Sequence, residues 1–167
     1  MPASSDAPTS DAGRALNALR RLVRALRTAS RQSERRHAVT AAQLYVLREL
    51  GTTPGLSLGA LARRTHTTQS TVSEVVARLV EAGLVRRRTA AADARRRELS
   101  LTARGRAIVR DAPRSMPERL LDAFDTLPAT QRSAIVDGLE AWVTTAGLAA
   151  GPAPMFFERR RIRADQQ

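Results

Sequence analysis

Apolar residues recur at helical spacing at Leu16, Leu19, Val23, Leu26 and Ala29, with Arg20, Arg21, Arg24 and Arg27 on the remaining faces. This pattern predicts an amphipathic helix from Arg14 to about Arg31 that needs a partner surface. TAAQ at 40–43 has the form of a capping box and starts a second helix, with Leu44, Leu47 and Leu50 as its stripe and Gly51 as its stop. After the loop TTPG, Ser57 caps a short helix whose inner side is Leu58, Leu61 and Ala62. The polar turn HTT then leads into QSTVSEVVARLVEA, with Val72, Val75 or Val76, Leu79 and Val80 inward and Gly83 at its end. Two short helices across a tight turn make a helix-turn-helix pattern.

LVRRRT and RRRELSLT flank the stretch AAADA, and Leu99 and Leu101 alternate with Glu98 and Ser100 at period two, which predicts a β-hairpin. Thr102 caps a further helix that Pro113 and Pro117 interrupt near Ala112 to Met116. Ser115 with Glu118 is a second capping box, and a last helix runs from about Pro128 through Ile135, Leu139 and Trp142 to Gly147. The expected fold is mainly α with one small β-hairpin, a winged helix-turn-helix flanked by N- and C-terminal helices.

The boundaries follow. Residues 1–13 are Ser, Ala, Asp and Pro without periodicity and read as a disordered tail. Residues 14–147 read as a single domain, with the winged core at about 40–110 and flanking helices at about 14–31 and 116–147. Residues 148–167 form a tail of no clear element type. One folding unit suits a chain of 167 residues.

Charge sharpens the picture. The formal net charge is +12, which favours a polyanionic partner, and every basic residue is Arg. Between Ser57 and Arg110, twelve Arg face only Glu74, Glu81, Asp93 and Glu98, whereas residues 111–167 are nearly balanced. The basic footprint therefore coincides with the helix-turn-helix and hairpin, as a docking face on DNA requires. With no Cys, disulfides and thiolate metal sites are excluded. Only His37 and His66 are present, and no carboxylate pair stands at metal or acid/base spacing, so no catalytic constellation, metal site or cofactor site is expected. The N-terminus lacks the apolar segment of a signal peptide and no run of about 18 apolar residues exists, so a cytoplasmic protein without a membrane partner is expected.

The hairpin carries D-x-R-x-x-x-L-x-L-T-x-x-G as Asp93, Arg95, Leu99, Leu101, Thr102 and Gly105. The stretch before it carries Ser70, Val72, Ser73, Leu79, Gly83, Leu84, Val85 and Arg87 at matching places. From about Leu16 to Ala146 the chain thus resembles the multiple antibiotic resistance regulator (MarR) family of bacterial transcription factors. Glu74 departs from the basic or neutral residue usual at its position.

A major groove admits one helix and displays a distinct pattern for each base pair, so the outward polar side chains Gln69, Ser70, Thr71, Ser73 and Glu74 are the candidate base readers. Gln69 suits adenine and Glu74 suits cytosine. Arg78, Arg86 and Arg88 are candidate phosphate contacts, and Ser57 with Thr67 or Thr68 offers helix starts to phosphate. Arg95, Arg96 and Arg97, at the hairpin tip or just after it, suit the minor groove, and Asp93 suits a brace for one of them. For each group a solvated surface role is the simpler alternative.

The resemblance implies a homodimer on a pseudo-palindromic operator, with Leu16, Leu19, Val23, Leu26, Ile135, Leu139 and Trp142 as interface candidates; intrachain packing is the alternative. It also implies a repressor, and for many members a small aromatic effector. Tyr45, His37 and Trp142 are the candidates to line such a pocket, with ordinary packing the simpler expectation. A sequence-indifferent architectural DNA-binding protein is the competing class, and a winged helix used for protein contact a third.

Overall fold

The computed structural model describes residues 10–90, 93–151, 153 and 155, and for residues 89, 90 and 93–97 the backbone only. In chain order the elements are α1 (Asp11–His37), α2 (Ala41–Thr52), α3 (Leu58–Arg64), α4 (Gln69–Glu81), β1 (Val85–Ala90), β2 (Asp93–Leu101), α5 (Ala103–Asp111), α6 (Met116–Asp125) and α7 (Ala129–Thr145). The expected architecture, helices around one antiparallel hairpin, is what is observed.

Helix α1 is longer at both ends than its apolar period indicated. Ser10 caps it, its hydroxyl accepting from the Gly13 amide at 3.2 Å, so residues 11–13 are the first helical turn and not part of a tail. At the other end Arg35, Arg36 and His37 favour the negative pole of the helix dipole, and Ala38 closes the helix with a left-handed φ of 56°. Helix α2 starts with the expected capping box of Thr40 and Gln43. It does not stop at Gly51. A Cβ there would make ordinary contact with Leu101 and Val109 at 3.4 and 3.5 Å, so Gly51 is accommodated inside the helix, and the chain turns at Gly55, where φ is +82°.

The core gathers the inner faces of α2, α3, α4 and the hairpin. Leu47, Leu50, Leu61, Val72, Val75, Val76, Leu79 and Leu99 are completely or almost completely shielded from solvent. Both Val75 and Val76 point inward, filling the stripe, whereas Val80, expected inward, lies one step past Leu79 at the stripe's edge and is 37% exposed.

In the hairpin Val85 stands opposite Leu101, Arg87 opposite Leu99 and Thr89 opposite Arg97. Ala90 pairs with Asp93, so the register shifts next to Thr89 and β2 carries extra residues there. A third strand fragment was not anticipated: Leu56 bridges to Leu99, with the Leu99 amide donating to the Leu56 carbonyl at 2.9 Å. It ties the loop before α3 to the hairpin.

Thr102 locks the hairpin to α5. Its hydroxyl donates toward the Gly83 carbonyl at 2.8 Å and accepts from the Gly105 amide at 3.1 Å, while its own amide donates to Leu84 at 3.0 Å. The break predicted near Ala112 to Met116 is present at residues 112–115, and α6 opens with the Ser115/Glu118 capping box.

Candidate nucleic-acid interface

The start of α4 is built locally. Thr68 is its N-cap, with its hydroxyl accepting from the Thr71 amide at 3.2 Å and sharing a hydrogen bond with the Thr71 hydroxyl at 2.9 Å. This settles which of the two threonines caps: Thr67 instead donates its amide to the Ala62 carbonyl within the turn. The turn itself needs His66 at a left-handed φ of 51°.

From that fixed start, Gln69, Ser70, Ser73, Glu74 and Ala77 line one shallow open depression along the outer face of α4. Four of the five expected base-reading residues therefore share a surface. Thr71 is half-buried and committed to the cap. The Gln69 side chain oxygen lies close over Gly59, 3.2 Å from where a Cβ would stand, so a methyl there would require only the end of the exposed Gln69 side chain to move.

Arg78 is half-buried on the last turn of α4, and Arg86, Arg87 and Arg88 are exposed on β1. The Arg86 Nε donates to the Ser100 hydroxyl across the hairpin at 3.1 Å, which orients its guanidinium. The backbone sets Arg95, Arg96 and Arg97 inside β2 and not at the hairpin tip. Their side chains, and that of Asp93 with its expected bracing role, lie outside the described residues. Ser57 caps α3, its hydroxyl accepting from the Ala60 amide at 3.2 Å.

Beneath the face lie two contacts unseen in the sequence, one joining the head to the flanking α6 and one joining α2 to α3 within the head. Arg48 of α2 donates to the Ala112 carbonyl at the α5–α6 break, and its Nε lies 3.4 Å from a Glu118 carboxylate oxygen. The Tyr45 hydroxyl donates to the Arg64 carbonyl at 3.2 Å, and Arg64 in turn pairs with Glu49 at 2.6 Å. Burial pushes the Tyr45 phenol up to about 12, with Glu49 and Glu118 adding to the rise and Arg64 opposing it.

The candidate dimer residues divide. Leu26 is 3% exposed, because the C-terminal half of α1 packs on α2 and α6; it belongs to the chain's own interior and is not available to a partner. Leu16, Leu19, Ile135, Leu139 and Trp142 are exposed, and Val23 is half-buried. Leu22, Val136 and Val143 join them and were missed. They adjoin residues already in the pattern, and only the extra width of the stripe would have signalled them. No residue of α7 is buried. His37 lines a small recess with Ala41 and Met116, Tyr45 a separate apolar cavity, and Trp142 neither. No described helix is long and apolar enough to cross a membrane.

Residues 38–96 match the model of the MarR family. Over 71 residues the chain is 41% identical to the transcriptional regulator HosA of Escherichia coli O157:H7, covering 42% of this chain and 53% of HosA. Over 74 residues it is 36% identical to a helix-turn-helix-type transcriptional repressor of Mycobacterium tuberculosis, covering 44% and 53%. The chain spans about half the length of the curated relatives it matches. Among solved structures it superposes on Bordetella bronchiseptica BpsR with a TM-score of 0.54 and 28% identity, covering 85% of this chain and 97% of BpsR. That structure is described as the mechanism for regulation of BpsR DNA binding by 6-hydroxynicotinic acid.

Proposed function

We propose that this chain, which belongs through its winged-helix core to the MarR family, is a DNA-binding transcription regulator that acts as a homodimeric repressor. The observation that carries the proposal is the outer face of α4, where Gln69, Ser70, Ser73 and Glu74 stand together beside a hairpin rich in Arg. Short polar side chains on a firmly capped helix suit base edges in a major groove. Glu74 accepts from cytosine and repels phosphate, which favours sequence reading over indiscriminate coating. Arg78, Arg86 and Arg88 supply backbone contacts, and Arg95, Arg96 and Arg97 supply contacts from the wing.

The exposed apolar residues of α1 and α7 support a dimer, since each face is too wide to leave in water on a lone chain. Two heads then read half-sites of a pseudo-palindromic operator about one helical turn apart. HosA and the mycobacterial relative are named as regulator and repressor, and BpsR is regulated by a small aromatic acid; by analogy a small-molecule effector relieves binding here.

Binding of the purified protein to the DNA upstream of its own gene, against random duplex of equal length across a salt series, tests the reading. A preference of about a thousandfold is expected. Equal binding with a steep salt dependence would replace it with a sequence-indifferent architectural role. Absence of binding to either overturns it.

A further inference from the structure

Helix α3 ends in two arginines with different fates. Arg64 is tied down, its Nε paired with Glu49 at 2.6 Å and its carbonyl accepting from the Tyr45 hydroxyl. Arg63, one residue earlier, is exposed, and its side chain makes no hydrogen bond or ion pair among the described residues. It does have a polar neighbour. The point where a Cβ on Gly59 would stand lies 4.0 Å from Arg63 Nη1 and 3.2 Å from the Gln69 side-chain oxygen. Gly59 and Arg63 are four residues apart and share one face of α3. The turn through His66 brings Gln69, the first residue of α4, over that same face. With no side chain at Gly59, the guanidinium and the amide converge above bare backbone.

The outer face of α4 lacks the chemistry that Arg63 brings. Gln69, Ser70, Ser73 and Glu74 line its depression, and no cation is among the described lining residues. A Gln suits adenine, a Glu suits cytosine and a Ser discriminates little, whereas guanine is read best by an Arg or Lys that spans its O6 and N7. Arg78 is half-buried on the last turn of α4, at the opposite end from Gln69. The first residues of a recognition helix are the ones that meet base edges. A guanidinium beside Gln69 therefore stands at the bases, while Arg86 and Arg88 lie away from α4 on β1.

We propose that Arg63 is a specificity-determining residue of the head, reading a guanine next to the base pair that Gln69 reads. The reading surface then runs across both helices of the helix-turn-helix, with Gly59 as the gap through which α3 contributes. This role rests on the DNA-reading function proposed above.

The full-length parent is passed through selection on random duplexes. Its selected site and all single base-pair variants of that site are then titrated with the parent and with Arg63→Ala across a salt series. Arg63→Ala is expected to bind the selected site about tenfold more weakly and to lose preference at one G·C pair of each half-site. Preference at every other position, and the salt slope, are expected to stay. Arg63→Gln, which keeps a polar chain without the guanidinium, is expected to lose the same guanine, and circular dichroism shows that both variants are folded. Weakening that is equal on all sequences, with the salt slope reduced by about one, would make Arg63 a phosphate contact and overturn the proposal. Unchanged affinity and preference overturn it as well. A parent that enriches no sequence removes the DNA-reading function and the proposal with it, whereas an enriched site that both variants read as the parent does removes only the role of Arg63.

Discussion

A Cβ on Gly105 would collide with the Leu84 carbonyl oxygen, the same oxygen that receives the Thr102 amide at 3.0 Å. The last residue of the wing motif is thus a glycine because α5 passes directly over backbone, with no room for a methyl group. Gly105→Ala gains about 1 kcal/mol of helix propensity. It nevertheless costs about 1–3 kcal/mol net, because the obstacle is main chain and cannot swing aside. Denaturant unfolding checks this, and a variant as stable as the parent sinks it. Tyr45 is the chain's one tyrosine, so its ionisation can be followed directly by tyrosinate absorbance. The folded value near 12 lies above the unfolded value of about 10. The stability contributed by the neutral phenol is therefore complete below about pH 10 and is lost as the pH rises toward 12. A folded-state midpoint at the unfolded value would contradict the burial that the structure assigns to this ring.

Among the elements, the local signals were legible and the distant ones were not. Both capping boxes and the break before α6 depend on residues three or four apart, and a linear reading catches such spacings, whereas it narrowed the cap of α4 only to Thr67 or Thr68. The outward face of α4 followed from the same period that placed Val72 and Leu79 inward. A stripe on a helix names a face but not what covers it, so Leu26 and Leu19 look alike in sequence although one is interior and the other exposed. The bridge of Leu56 to Leu99 and the pairing of Arg48 with Glu118 join residues far apart in the chain and leave no periodic trace. The second of these makes its own prediction. The Arg48 and Glu118 side chains are only 19% and 13% exposed, and Glu118 also accepts from the Ser115 amide at 2.7 Å. Arg48→Met strips the Ala112 carbonyl and the Glu118 carboxylate of their partner and costs about 2–4 kcal/mol. Because α2 carries the head and α6 the flanking layer, the loss is expected to raise hydrogen exchange at the α5–α6 junction first. Uniform exchange across the chain would show that the pair does not brace this joint.

At the scale of the whole molecule, the helices left uncovered differ in charge as well as in position. Helix α1 carries eight Arg against Asp11 and Glu34, while α6 and α7 together carry Glu118, Asp122, Asp125, Asp137 and Glu140 against Arg119 and Arg132. Two copies of α1 laid side by side would repel, whereas α1 of one copy set against α6 and α7 of the other pairs opposite charges around the apolar stripes of Leu19 and Leu139. Such an interface has a testable signature. Leu139→Asp, which places a charge in the stripe, is expected to leave the proposed dimer as monomers in sedimentation at micromolar concentration. In the parent protein the proposed dimer should loosen as salt rises from about 0.05 to about 0.5 M, since exposed opposite charges are progressively screened. A purely apolar interface would hold or tighten over the same range. A dimer indifferent to salt but lost in Leu139→Asp would therefore leave the apolar stripes as its basis and remove the charge pairing, and a dimer that survives Leu139→Asp would remove α7 from the interface.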